Sequence, residues 1–195
     1  SSFLAGVGGF WGVPMWCFYV NRGQAVTSFG VKNKDGAIEE FRTANNAYMD
    51  VDEKGFRTFM RVTKEGGGEE RLLQPFYATG PIDGVTRNMM IGRNELEISE
   101  VDTKHNLNTD ILYVTVSNED FPGLVREVTF TNTADYGVDI SVLDGLVSLI
   151  PYGISNGELS AMGRTMEAWM NVYNVETYDT TKPFFHVSQK TGDVA

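Results

Sequence analysis

Residues 112–117 read LYVTVS, in which three aliphatic side chains alternate with tyrosine, threonine and serine. Successive side chains of a β-strand point to opposite faces, so this alternation predicts a strand. The same period of two returns along the chain, in residues 56–62, 95–99, 124–131, 136–142 and 166–172. Sustained helical periodicity does not accompany it. The sequence therefore predicts an all-β protein.

Turn-forming residues separate the predicted strands. They cluster at residues 33–36 (NKDG), 52–55 (DEKG), 81–84 (PIDG) and 132–135 (NTAD), and Asn, Asp, Gly and Pro favour tight turns. Short strands joined by such turns are typical of antiparallel sandwiches. We expect a large antiparallel β-sandwich without substantial helix. The length of 195 residues fits one domain over positions 1–195.

The first 21 residues carry no charged side chain but contain six aromatic ones. Several glycines and Pro14 interrupt any helix long enough to span a membrane, and no basic residue precedes the run as in a signal peptide. The run is therefore expected to be extended chain that is buried against a large neighbour and turns at residues 21–23. We expect the chain to be a domain cut from a longer protein.

Composition limits the classes of partner. The chain has 16 Lys and Arg against 26 Asp and Glu, a net charge of −10. This balance argues against binding to nucleic acid or to an anionic membrane, because both attract clustered cations. The sole cysteine, Cys17, excludes an internal disulfide framework and fits a reducing cytoplasm. Its aromatic neighbours predict a buried structural thiol, not a nucleophile.

The two histidines give no sign of a metal centre or of a catalytic triad. His105 and His186 lie far apart, and we read no second ligand at metal-binding spacing beside either one. We interpret His105 as a surface-loop residue and His186 as a strand residue near the edge of the core. No metal site is predicted.

Asp144 continues the alternating apolar face of residues 136–142. A carboxylate on such a face is unfavourable unless it is hydrogen-bonded. Two interpretations stay open. Its oxygens accept backbone N–H groups where the strand bends at Gly145, or the side chain contacts a ligand or another domain.

A polar and aromatic loop follows this strand, because residues 151–157 read PYGISNG. Aromatic rings beside amide groups suit a sugar, whose C–H faces stack on rings and whose hydroxyls pair with amides. Tyr152, Asn156 and Arg164 therefore join Asp144 as candidates for lining a substrate or interdomain surface.

Four segments resemble one enzyme family. Residues 9–24 (GFWGVPMWCFYVNRGQ) are similar to the opening of the first domain of the large glycoside phosphorylases in glycoside hydrolase family 94. Residues 121–136 (FPGLVREVTFTNTADY) resemble a strand and asparagine turn of that domain. Residues 144–153 (DGLVSLIPYG) and 165–174 (TMEAWMNVYN) look most like the 1,2-β-oligoglucan phosphorylase branch.

The resemblance implies an activity for the parent protein. Such enzymes cleave β-glucosidic bonds with inorganic phosphate as co-substrate, invert the anomeric centre and release α-glucose 1-phosphate, with no other cofactor. Their catalytic acid and phosphate-binding residues belong to a later (α/α)6 barrel, so the resemblance assigns no catalytic residue to positions 1–195. It implies a supersandwich of the galactose-mutarotase type that packs on that barrel, lines part of the site for a β-glucan oligosaccharide and contributes to a homodimer.

Two other functions stay open. A free-standing carbohydrate-binding module would present a row of exposed aromatic side chains on one sheet face. A mutarotase-like enzyme on a similar sandwich would need a glutamate base and a well-placed histidine acid, a role that the positions of His105 and His186 disfavour.

Overall fold

A computed structural model describes residues 1–8, 10–77, 80–116, 118–150, 153–173 and 184–187, with the backbone alone for residues 164, 166–173 and 184–187. Strands dominate this part of the chain, and its two helices are short. The chain divides into a first unit, Ser1–Tyr152, and a second unit, Gly153–Ala195. The predicted all-β class is confirmed, whereas a single domain over residues 1–195 stays a prediction.

The charge-free run forms the start of the first sheet. This antiparallel sheet has the order β1-β2-β3-β4, with strands β1 (Ser2–Gly8), β2 (Val13–Tyr19), β3 (Val26–Val31) and β4 (Ala37–Glu39). Gly12 has a φ of 66° in the turn between β1 and β2, a conformation that glycine adopts readily. The predicted extended chain and its turn at residues 21–23 are confirmed.

Two further antiparallel sheets complete the first unit. The second sheet has the order β10-β9-β8-β7, with strands β7 (Val85–Ile91), β8 (Glu95–Asp102), β9 (Leu107–Val116) and β10 (Gly123–Asn132). The third has the order β11-β5-β6, with strands β5 (Phe56–Lys64), β6 (Arg71–Leu73) and β11 (Val138–Leu146). Helix α1 (Ala44–Asp50) connects β4 to β5.

The main core joins the three sheets. One cluster of buried side chains combines Leu4, Cys17 and Phe29 of the first sheet with Leu96, Ile111 and Tyr113 of the second. Phe56 of the third sheet stacks on Phe29 at a centroid distance of 5.9 Å. Each fully buried aliphatic side chain contributes about 2 kcal/mol. The predicted sandwich is therefore confirmed for this unit.

Strand β9 buries its less aliphatic face. Tyr113 and Thr115 are buried, while Leu112 and Val114 are only half-buried. The hydroxyl of Tyr113 donates to the carbonyl of Gln24 at 2.8 Å, and that of Thr115 donates to the carbonyl of Ala5 at 2.7 Å. Both polar groups are satisfied inside the core, which removes most of the penalty of burying them. The alternation predicts the strand, and the covered face also carries the buried Leu107 and Ile111.

The second unit contains the longer helix. Helix α2 (Asn156–Trp169) precedes the antiparallel pair β12 (Met170–Tyr173) and β13 (Phe184–Val187). The strand predicted from the alternation of residues 166–172 is therefore wrong up to Trp169. His186 lies in a strand, as predicted.

A capping box explains the start of α2. The Ser155 hydroxyl accepts from the backbone N–H of Glu158 at 3.1 Å, and the Glu158 carboxylate accepts from the backbone N–H of Ser155 at 2.8 Å. Each side chain thus satisfies a backbone donor that the first helical turn leaves unpaired. Gly163, with a φ of 33°, interrupts the helical backbone.

Truncation of a core leucine tests the sandwich. Leu96→Ala leaves a cavity at a side chain with 0% exposure and should lower the free energy of unfolding by about 3 kcal/mol. Leu72→Ala, at 78% exposure on β6, is the matched control and should change it by less than about 1 kcal/mol. Urea unfolding measures the free energy of unfolding of both variants. Equal losses for the two would contradict the placement of Leu96 in the core.

Candidate functional site

A buried arginine, Arg126 of β10, lies at the centre of a polar network. Arg126 shares the inward face of β10 with Leu124 and Val128, and only 6% of its side chain is exposed. Its Nη2 donates to Gln24 Oε1 at 2.6 Å and to Thr58 Oγ1 at 2.9 Å. Its Nε donates to the Tyr113 hydroxyl oxygen at 3.1 Å.

Asp144 supplies the countercharge. Its Oδ2 accepts from Arg126 Nη1, and its Oδ1 accepts from the Thr58 hydroxyl at 2.5 Å. The register of β11 against β5 places Asp144 directly opposite Thr58. These partners are side chains, which corrects the interpretation that backbone N–H groups satisfy the carboxylate. Gly145 has a φ of 144°, but it stays paired with Arg57 inside β11, so the expected bend of the strand there is wrong.

The network, defined as Gln24, Thr58, Tyr113, Arg126 and Asp144, connects strands of the second and third sheets to the turn before β3. Burial raises the pKa of Tyr113, so its phenol stays protonated and donates to the Gln24 carbonyl. The Arg126 guanidinium lies over the Phe56 ring at 5.1 Å from its centroid, a favourable cation–π arrangement. Because its charged groups bind one another, this network is suited to holding the sandwich together.

The other predicted candidates are Asn156, Arg164 and Tyr152. Asn156 is the first residue of α2, and its buried Oδ1 has no partner within the described part of the chain. Arg164 lies in α2, where the structure gives its backbone alone. Tyr152 falls outside the described residues. Asp144 belongs to the first unit, and Asn156 and Arg164 belong to the second.

Two aromatic side chains, Phe10 and Trp11, form what we call the aromatic tip between β1 and β2. They are 83% and 88% exposed, and their rings pack edge to face with centroids 5.0 Å apart. Other parts of the charge-free run are covered. Phe18 is buried against Phe41, and the Trp16 indole N–H donates to the Asn33 carbonyl at 3.0 Å. The tip faces solvent in this chain, and its expected burial against a large neighbour stays a prediction.

A cavity of about 270 Å³ contains a histidine–aspartate pair that sequence reasoning missed. His105 Nδ1 lies 2.6 Å from Asp102 Oδ2, and Tyr77, Glu100 and Lys104 also line the space. Asp102 Oδ1 accepts from the backbone N–H of His105 at 3.0 Å, which fixes both residues in a turn. The signal was an aspartate three positions before the histidine. An oriented imidazole can transfer protons, although this pair also closes the turn before β9.

Two buried acidic groups have shifted pKa values. Burial raises the pKa of Cys17 to about 12, which confirms a buried thiol. Burial also raises the pKa of Glu39 from 4.5 to about 7, although Lys54 and the Gly55 backbone N–H act in the opposite direction. Glu39 Oε2 is buried without a partner among the described residues.

Comparison with known proteins assigns no family. No family model matches the chain, and no curated protein matches its sequence. Within the described residues, no three His, Cys, Asp or Glu side chains come together to hold a metal ion. None of the described helices is long and apolar enough to cross a membrane.

Removal of the Asp144 carboxylate tests the network. Asp144→Ala leaves the buried Arg126 guanidinium without its countercharge and should lower the free energy of unfolding by about 3 kcal/mol. Asp139→Ala, at an exposed position of the same strand, is the control and should change it by less than about 1 kcal/mol. Chemical denaturation measures the free energy of unfolding of both variants. A loss for Asp144→Ala as small as that of the control would contradict the role of Asp144 as the countercharge of Arg126.

Glu39 should make stability depend on pH. Between pH 4.5 and about 7 the folded chain keeps a proton that the unfolded chain has released. The Glu39 contribution to the free energy of unfolding is therefore full below pH 4.5 and is lost as the pH rises to about 7, by up to about 3 kcal/mol. Across this pH range the free energy of unfolding should fall less steeply with pH for Glu39→Gln than for the parent chain. Glu127→Gln, at an exposed position, is the control and should fall as the parent does. Identical slopes for the parent and Glu39→Gln would contradict the shift.

Proposed function

We propose that the chain is the sandwich domain of a cytoplasmic glycoside phosphorylase that resembles family 94. The parent enzyme would cleave β-1,2-glucan oligosaccharides with inorganic phosphate and release α-glucose 1-phosphate. In this proposal the domain is not catalytic. It scaffolds the catalytic barrel, lines part of the substrate site and contributes to a homodimer.

The aromatic tip carries the proposal. Phe10 and Trp11 are largely exposed, and Val7, at the end of β1 nearest the tip, is 54% exposed. Removing apolar surface from water is favourable, so a cluster of this kind marks a contact with another domain or protein. The tip lies inside residues 9–24, the segment that resembles the opening of the phosphorylase domain.

The buried network also supports a scaffolding role. Arg126 and Asp144 bind each other and three further side chains of the first unit. Groups engaged in this way stabilise the sandwich and are poorly suited to contacting a substrate directly. The barrel would then supply the catalytic chemistry.

An activity assay tests the proposed reaction. The longer protein that contains this domain should release glucose 1-phosphate from β-1,2-glucan oligosaccharides and inorganic phosphate, whereas residues 1–195 alone should release none. The same longer protein without phosphate is the control. Release by residues 1–195 alone, or no release by the longer protein, would contradict the proposal.

The exposed aromatic pair also favours a second candidate, a carbohydrate-binding module. Trp11 can stack on a sugar ring, although the pair lies at a hairpin turn and not along a sheet face. Calorimetry of residues 1–195 with β-1,2-glucan oligosaccharides separates the two functions. A scaffold should give no binding heat. A module should bind, and should lose that binding on Trp11→Ala but not on Leu72→Ala, which removes an exposed apolar side chain elsewhere.

A further inference from the structure

The cavity that contains His105 and Asp102 is lined by strands of two sheets. The register of the second sheet places Val85 of β7 and Leu107 of β9 opposite Asp102, so these three side chains share one face. Met60 of β5 lines the cavity from the third sheet. Its volume of about 270 Å³ lies at the small end of the range for ligand cavities, which favours a ligand of few atoms.

This cavity has an apolar interior and a polar mouth. Met60 and Leu107 are buried, whereas Tyr77, Asp83 and Lys104 are exposed, so a ligand can reach the charged groups from solvent. All five side chains line the same space. The further apolar members of the lining are Leu72, Leu73, Pro75, Ile82 and Val85. Such a combination is typical of small-ligand sites.

Two carboxylates of the lining are satisfied within the protein. Glu100 Oε2 accepts from Arg87 Nε at 2.7 Å. Asp102 Oδ2 lies 2.6 Å from His105 Nδ1, and its Oδ1 accepts from the backbone N–H groups of Lys104 and His105 at 3.0 Å each. These interactions fix the turn before β9, and they leave Glu100 and Asp102 less suited to binding a ligand.

Asp83 and Lys104 are the charged groups of the lining that remain. Within the described part of the chain, neither side chain forms an ion pair, whether with the other or with a third residue. Their turns lie side by side, because the backbone N–H and the hydroxyl of Thr103 both donate to the Gly84 carbonyl at 2.9 Å. One exposed carboxylate and one exposed ammonium therefore stand at the same end of the cavity. This arrangement is complementary to a ligand that carries both charges.

We propose that this cavity binds a small α-amino acid with an apolar side chain. The Asp83 carboxylate would accept hydrogen bonds from the ammonium of the ligand, and the Lys104 ammonium would donate to its carboxylate. The apolar side chain would enter the interior beside Met60 and Leu107, where its removal from water is favourable. The site does not depend on the phosphorylase function, because it requires only residues of the first unit.

An NMR titration of the full 195-residue chain tests the site, with L-leucine as the probe. Leucine should bind more tightly than 3-methylbutylamine, which lacks the carboxylate, and than 4-methylpentanoate, which lacks the ammonium. Glycine, which lacks the apolar side chain, should not bind. Equal or tighter binding of either analogue would overturn the assignment to a ligand with both charges. Absence of leucine binding at millimolar concentration, or binding of glycine as tight as that of leucine, would overturn the site.

Asp83→Asn tests the contact with the ammonium. It should weaken binding of leucine and of 3-methylbutylamine about fivefold or more and leave 4-methylpentanoate unaffected. Asp83 is exposed, so the variant should fold as the parent does. Asp35→Asn, at an exposed aspartate that also precedes a glycine but lies outside the lining, is the matched control and should change none of these affinities. Equal effects of the two variants would overturn the location.

Lys104→Gln tests the contact with the carboxylate and should give the opposite pattern. It should weaken binding of leucine and of 4-methylpentanoate about fivefold or more and leave 3-methylbutylamine unaffected. Lys34→Gln, at an exposed lysine outside the lining, is the control. A Lys104→Gln chain that binds leucine as the parent does, or that loses all three compounds equally, would overturn the assigned role of Lys104.

Discussion

The guanidinium of Arg126 is the group on which the first unit most depends. A cation removed from water is strongly destabilising unless its donors are paired and its charge is balanced. Arg126 meets both conditions, because Asp144 provides the countercharge and Gln24, Thr58 and Tyr113 accept from its remaining donors. The geometry of five side chains is therefore linked, and a change at one leaves another unsatisfied.

This linkage spans the sandwich. Arg126 and Tyr113 belong to the second sheet, and Thr58 and Asp144 belong to the third. Gln24 lies in the connection before β3 of the first sheet, and its backbone carbonyl accepts from Tyr113. Apolar burial drives the sheets together without fixing their register, whereas hydrogen bonds are directional. The network thus favours one alignment of the three sheets.

Local pattern predicted much of this fold. The alternation of Leu96 and Ile98 with polar neighbours marked β8, and the turn residues at 33–36 and 132–135 marked chain reversals. These features depend on neighbouring residues, so they can be read from the sequence. The sequence prediction lacks helix α2, although the spacing of Ser155 and Glu158 is that of a capping box, and the alternation of residues 166–172 favours a strand over its last turn.

Contacts between residues that are distant in sequence are harder to predict from the sequence. Asp144 was identified because a carboxylate on an apolar face needs a partner, but its partner lies 18 residues earlier on another strand. A signal for Arg126 existed, since it too occupies an otherwise apolar face between Leu124 and Val128. Pairing these two charged residues, each on an otherwise apolar strand face of the sequence, would have predicted the network. The cavity lined by Tyr77 and His105 combines segments that are distant in sequence, and no local pattern reveals it.

Native-state hydrogen exchange of the Arg126→Met variant tests whether Arg126 links the strands of the sandwich. Met keeps apolar bulk at the site but removes every donor that Arg126 supplies to the network. Amide protection in this variant should fall together in β5, β9 and β11, because all three strands hold partners of Arg126. Loss of protection confined to β10, with β5 and β11 exchanging as in the parent, would contradict it.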